Sequence, residues 1–283
     1  MKLYTSISLL IALMILPVSC TRKKENPEPR VIFLHHSTGG VIWRGGANSV
    51  FHKIARRISK RAPSGELPAL IRNHNKKKGT NILIEDRIFP KDEPYGWNNY
   101  PYDYYNIWVK HAGNEPYMEE PTLEMLSRDY QVIMFKHCFP SSNILEDGDS
   151  ADIDSDIKTL GNYKLQYEAL REKLQSFPDT KFILWTGAVQ VESQISEDQA
   201  LRAKEFNRWV IEEWDEPADN IHLWDLYALQ TEGGLYFKDA YAVSPTNSHP
   251  NPVFASRVVK LLSSRIIDVI ENDGNGTGLT GRP

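Results

Sequence analysis

Apolar residues follow two rhythms along this chain. Short, mostly apolar runs at residues 31–34, 81–85, 131–135, 181–185 and 220–224 are each bounded by turn-forming residues. Runs of this kind predict strands buried on both faces, as in a parallel sheet. Between them the spacing changes. Ile157, Leu160, Tyr163, Tyr167, Leu170, Leu174 and Phe177 recur at three- and four-residue steps, which gives a helix one apolar face. Ala203, Phe206, Val210 and Trp214 repeat the pattern. Phe254, Val258, Leu261, Ile266 and Val269 do so again, behind a Pro252 suited to a first helical turn. The alternation predicts an α/β fold: a three-layer α/β/α sandwich around a mainly parallel sheet of about five strands. Ligands of such sheets bind beyond the carboxyl ends of the strands.

Two segments break the alternation, residues 89–121 and 226–248. Long irregular stretches inside a domain are usually functional or mobile. The first is rich in aromatic, proline and asparagine residues. Trp97, Asn98, Asn99, Tyr100 and Trp108 combine rings with amides, a mixture suited to a carbohydrate or another flat polar ligand. The alternative is a loop that packs its own rings against the sheet.

The chain has 283 residues and a formal net charge of −4, so nothing global points to a nucleic-acid partner. The basic runs Arg56-Arg57 with Lys60-Arg61, and Lys76-Lys77-Lys78, read as solvated faces. At the start, Lys2 precedes an apolar run over residues 7–18 and then Ser19-Cys20, the layout of a secretory signal peptide. Leu16-Pro17-Val18-Ser19-Cys20 resembles a bacterial lipobox, with Pro17 as a departure. The resemblance implies cleavage before Cys20 and lipidation of its thiol, with attachment to the membrane through the lipid alone. The expected organisation is a signal peptide over 1–19, lipidated Cys20 and a polar tether over 20–29, one domain over 30–272, and a disordered tail over 273–283. The absence of acidic residues just after Cys20 points to an outer-membrane anchor facing the periplasm of a bacterial envelope. Cys138 is then the only other cysteine, so the domain stands without a disulfide of its own. It reads as a buried structural thiol.

The candidate chemistry lies at two distant places. Ser37 follows the first strand in the stretch His35-His36-Ser37-Thr38-Gly39-Gly40, where glycines allow close backbone approach. His249 precedes the last helix, which can return it to the same end of the sheet. A serine hydroxyl is a weak nucleophile and needs such a base. His35, His36, His137 and His249 form no recognisable ligand spacing. No metal and no cofactor are expected.

In this order and spacing the chain resembles the SGNH (GDSL-like) hydrolase superfamily over roughly residues 30–272. The carriers are the serine after the first strand, Lys181-Phe182-Ile183-Leu184-Trp185-Thr186-Gly187 as a fourth strand and turn, and His249-Pro250-Asn251 leading into the last helix. The resemblance implies a serine esterase or acyl hydrolase. Ser37 would be the nucleophile and His249 its base. The amides of Ser37 and Gly40, with the Asn143 side chain, would hold the oxyanion. The expected substrate is an acyl ester, with an acylated glycan as its class for an envelope lipoprotein. The departure is at the acid. Thr246 stands where the family places aspartate, so the orienter of His249 is either Asn247 or a carboxylate from elsewhere, with Asp239 the candidate. Two rivals stay open: a non-catalytic glycan-binding protein on the same fold, and an acyltransferase using the same serine.

Overall fold

The computed structural model describes residues 28–48, 65–91, 93–94 and 96–283. The signal peptide, Cys20, most of the tether and the basic cluster at Arg56, Arg57, Lys60 and Arg61 lie outside the described residues. Among those described, no helix is long and apolar enough to cross a membrane.

Five parallel strands form the sheet: β1 (Arg30–His35), β2 (Leu83–Ile88), β3 (Val132–Phe135), β4 (Lys181–Trp185) and β5 (Ile221–Trp224), in the order β2-β1-β3-β4-β5. All five overlap the runs read from the sequence. Side chains alternate across the sheet. Ile32, Leu34, Ile133 and Phe135 enter one buried layer, while Val31, Phe33, Val132 and Met134 enter the other.

The first layer is covered by a short helix α3 (Pro101–Tyr104) that runs into a π-helical turn (Tyr105–Lys110), by α4 (Leu123–Asp129), by α5 (Leu160–Gln175) and by α6 (Glu197–Trp209) with its π-helical extension (Val210–Trp214). The opposite layer holds α1 (Ser37–Arg44), α2 (Glu66–Lys78), α7 (Leu226–Thr231) and the long α8 (Pro252–Asn272). The molecule is therefore a three-layer α/β/α sandwich, as the periodicity predicts. The α8 face differs in one detail, since Leu262 is fully buried and Leu261 only partly so.

The two sheet edges are protected differently. β2 is mostly exposed and carries Glu85, Asp86 and Arg87, charges that discourage edge-to-edge pairing. The outer edge of β5 is covered. Arg265 Nε donates to the Leu223 carbonyl at 3.0 Å, and Asp225 N–H donates to the Leu279 carbonyl at 2.9 Å. This corrects the expectation of a disordered tail at 273–283. Asp268 accepts from the N–H groups of Gly276 and Thr277, Arg265 donates to the Thr277 carbonyl at 3.1 Å, and Trp224 Nε1 donates to the Thr280 carbonyl at 3.3 Å. Gly281 packs so closely on α8 that an added Cβ would lie 2.1 Å from the Leu261 carbonyl oxygen. Polar, glycine-rich composition suggested disorder, but α8 offers buried polar partners that hold the segment in place.

The helix α2, unread in the sequence, ends in Lys76, Lys77 and Lys78. These lysines are exposed at the helix carboxyl terminus, where positive charge is favourable.

Candidate functional site

The order β2-β1-β3-β4-β5 reverses direction between β1 and β3, so chain segments leaving these two strands diverge and open a crevice at their carboxyl ends. Ser37 lies at this crevice, two residues past β1. It is exposed, while Thr38, Gly39 and Gly40 behind it are buried. Its φ is +36°, in a region that a residue with a side chain adopts at a cost of about 1–3 kcal/mol. The His35 side chain packs under the first turn of α1 so closely that a Cβ on Gly39 would sit 2.5 Å from His35 Cβ.

His249 reaches the same crevice from an antiparallel hairpin, β6 (Ala242–Ser244) and β7 (Asn247–Pro250). The β4–α6 connection grips this hairpin. Gln194 Nε2 donates to the Thr246 carbonyl at 2.8 Å, Val191 N–H donates to Ser248 Oγ at 3.0 Å, and Ser248 N–H donates to Gln194 Oε1 at 3.2 Å. On the other side, Asn251 caps α8 through the Phe254 N–H at 2.9 Å and ties back to the Ala240 carbonyl at 2.8 Å.

Ser37 Oγ hydrogen-bonds His249 Nε2. The protonation pattern follows from the other side of the ring. Asn247 Oδ1 accepts the backbone N–H of His249 at 3.1 Å and faces His249 Nδ1 at 2.7 Å. A backbone N–H can only donate, which identifies the facing atom of Asn247 as its oxygen. Nδ1 must then carry the hydrogen, Nε2 is the acceptor, and the Ser37 hydroxyl donates to it. This is the tautomer a general base requires.

The remaining candidates separate. Asp239 is exposed and, among the described residues, has no hydrogen bond with His249, whose Nδ1 faces the Asn247 amide and not a carboxylate. Gly40 is the fourth residue of α1. The N–H groups of Ser37 and Thr38 stand ahead of Gly40 at the mouth of this helix, and the Gly39 N–H bonds to the His36 carbonyl at 2.8 Å. The lack of a side chain at Gly40 has a packing cause, since a Cβ there would lie 3.3 Å from His35 Cε1 and 3.2 Å from Arg44 Nη1. Asn143 is half-buried on the loop that follows β3, and its Oδ1 accepts from Gln190 Nε2. That bond leaves the Asn143 NH₂ as the free group, the end an oxyanion would need. Phe139 on the same loop packs edge-on against the His249 ring, with centroids 5.2 Å apart.

The five residues singled out on the aromatic segment divide by exposure. Trp97, Asn99, Tyr100 and Trp108 are all buried, and only Asn98 is exposed. Trp108 is stacked on Phe89 at 5.2 Å and donates from Nε1 to the Pro121 carbonyl at 3.1 Å. Asp103 organises the turn by accepting the N–H groups of Asn98 and Asn99 at 2.7 and 2.6 Å. The ligand-binding expectation for Trp97, Asn99, Tyr100 and Trp108 is therefore corrected. Their rings fill the layer between the sheet and α5, because a helix and sheet packed face to face need large apolar side chains between them.

Gln190, Gln194 and Ser248, which position the site, were not singled out by sequence. Ser248 had one available signal, its place beside the candidate histidine. His137 is buried among Tyr104, Tyr167 and Phe135, and desolvation holds its imidazole down at about 3, neutral at any ordinary pH. Cys138 is buried, with its thiol 3.7 Å from Lys136 Nζ. A separate cavity of about 1100 Å³ lies at the amino ends of β4 and β5, lined by Asp215, His222 and Arg265 among others. Burial pushes Asp215 up to about 6 and His222 down to about 4. That cavity is at the opposite end of the sheet from Ser37.

Compared with known proteins, the chain matches no family model, no curated protein and no solved structure.

Proposed function

We propose that this protein is a serine-dependent acyl-ester hydrolase. The observation that carries the reading is the hydrogen-bonded series Ser37 Oγ, His249 Nε2, His249 Nδ1 and Asn247 Oδ1, built on a serine with positive φ at the carboxyl end of β1. The Ser37 oxygen attacks the ester carbonyl carbon while its proton passes to His249 Nε2. The carbonyl π pair moves onto oxygen, where the Ser37 and Thr38 N–H groups and the Asn143 NH₂ are the candidate donors. Collapse expels the alcohol oxygen, which takes the proton from Nε2 and leaves Ser37 acylated. Water then attacks the acyl group, with His249 again taking and returning the proton. Asn247 keeps the ring in register but cannot neutralise the imidazolium as aspartate would.

The resemblance to SGNH hydrolases and the lipobox-like Cys20 add an acylated envelope glycan as the substrate class and a lipid-anchored, periplasm-facing location. The buried aromatic segment lends the glycan no support, so the acyl ester is the firmer part of the reading. The amide at the acid position favours one alternative, a binding protein that keeps the fold without the chemistry. Hydrolysis of a short-chain aryl acetate by the domain from Arg30 onward, and by its Ser37→Ala form, separates the two. Turnover lost in the variant supports the hydrolase. Equal rates, or none in either, sink it.

A further inference from the structure

Gln190 lies on the connection that follows β4 and is buried. With Val191 it joins the two loops that meet at the candidate site. The Gln190 carbonyl accepts the Phe237 N–H at 2.9 Å, and the Val191 N–H donates to Ser248 Oγ at 3.0 Å, next to His249. The Gln190 side chain turns to the other loop, where its Nε2 donates to Asn143 Oδ1 and lies 3.3 Å from Ser142 Oγ. Phe139 of that loop meets the His249 ring edge-on. The sense of these bonds is fixed at one end. The Phe139 carbonyl can only accept, so the Ser142 hydroxyl, 2.7 Å away, gives its one hydrogen there. Ser142 Oγ has only lone pairs left, so the Gln190 group facing it is the NH₂ and not the carbonyl. The second hydrogen of that NH₂ meets Asn143, whose facing atom must be Oδ1. Asn143 Nδ2 is left over. Among the described residues it bonds no protein group and is not sealed off from solvent.

We propose that Gln190 is a positioning residue of the Ser37–His249 site: it holds the Asn143 amide with its NH₂ outward, the one sense in which that side chain can donate to an oxyanion. The inference rests on the acyl-hydrolase reading for its catalytic consequence, though not for the sense of the amide. An unheld asparagine presents oxygen or nitrogen with little preference, since the two ends of its amide have nearly the same size and shape. An oxygen turned toward a developing oxyanion repels it. An NH₂ already in place stabilises it without reorganisation at the moment of reaction. In Gln190→Glu the side chain keeps its length, but a carboxylate only accepts. It would draw in the Asn143 NH₂ and turn Oδ1 outward. One dipeptide thus serves both halves of the site, holding the base through Val191 and Ser248 and the donor through the Gln190 side chain. An apolar residue of the same volume would fill the space at position 190 without setting the amide.

The test uses the full chain as wild type, Gln190→Glu, Gln190→Met, Asn143→Ala, the double variant Gln190→Glu with Asn143→Ala, and Ser37→Ala. Aryl acetate hydrolysis is measured above neutral pH, where the introduced carboxylate is ionised. Asn143→Ala should lower kcat about 10²–10³-fold with little change in KM, the effect of one lost oxyanion donor. Gln190→Glu should lose a similar factor. The double variant should lose no more than about threefold beyond Asn143→Ala, because both changes remove the same donor. Gln190→Met frees the amide without reversing it and should fall between wild type and Gln190→Glu. Full activity in Gln190→Glu or in Asn143→Ala, or losses that multiply in the double variant, overturns the proposal. Where Gln190→Glu does not fold, Gln190→Met enters the same cycle with Asn143→Ala and decides in the same way. Side-chain amide NMR reads the sense directly, with Asn143→Ala assigning the signal. The Asn143 NH₂ should exchange with water rapidly in wild type and more slowly in Gln190→Glu, and equal exchange in the two overturns the proposal. Equal hydrolysis by wild type and Ser37→Ala defeats the hydrolase reading instead, and the exchange measurement still decides the part played by Gln190.

Discussion

Residues 89–121 and 226–248 looked alike as breaks in the strand–helix rhythm, and they do opposite things. The first has the composition of a binding loop but supplies the core, where Trp97, Tyr100, Tyr104 and Trp108 are buried. The second has plain composition, yet its β6 strand pairs with the β7 strand that presents His249 to Ser37. Aromatic density reports how much apolar surface must leave water. Placement of a base depends instead on polar side chains that satisfy a loop's backbone, here Gln194, Ser248 and Asn251. A ring-rich loop is therefore evidence of packing until its rings are seen to face solvent.

The largest effect that would sharpen this contrast is chemical. Ser37→Ala should lower ester hydrolysis by about 10³-fold or more while leaving the fold intact, since the side chain is exposed and only its nucleophile is lost. Comparable activity in the variant would remove the site from the comparison. Trp108→Ala should do the reverse. Loss of a fully buried ring costs about 3–5 kcal/mol of unfolding free energy, read by denaturant titration, with little change in rate per folded molecule. A large fall in substrate affinity without destabilisation would return the aromatic segment to a binding role.

Smaller effects test the hairpin. Asn247→Ala should slow hydrolysis roughly tenfold, the worth of about one hydrogen bond. Asn247→Asp should raise the His249 midpoint, because a carboxylate at Nδ1 favours imidazolium. The acid limb of the rate profile then moves to higher pH while the plateau rises. An acid limb that moves down in Asn247→Asp contradicts the assignment of Asn247 as orienter. Asp239→Ala and Asn98→Ala, at exposed positions on the two segments, should each change stability by less than about 0.5 kcal/mol and leave rate and pH profile alone. A displaced pH profile in Asp239→Ala would reopen the choice of orienter.

The chain alone was enough for the strands, the three layers, and the placement of Ser37 and His249 at one end of the sheet. These follow from local periodicity and from the right-handed connections that parallel sheets require, so neighbouring residues carry the information. Tertiary structure decided the rest. Whether Asn247 or Asp239 orients His249 depended on which side chain a hairpin bend brings to Nδ1. The fate of Trp108 depended on what lies across from it, and the order of the tail on the partners that α8 presents. Each of these is a contact between residues far apart in the chain, and composition or spacing within a segment holds no record of the surface it will meet.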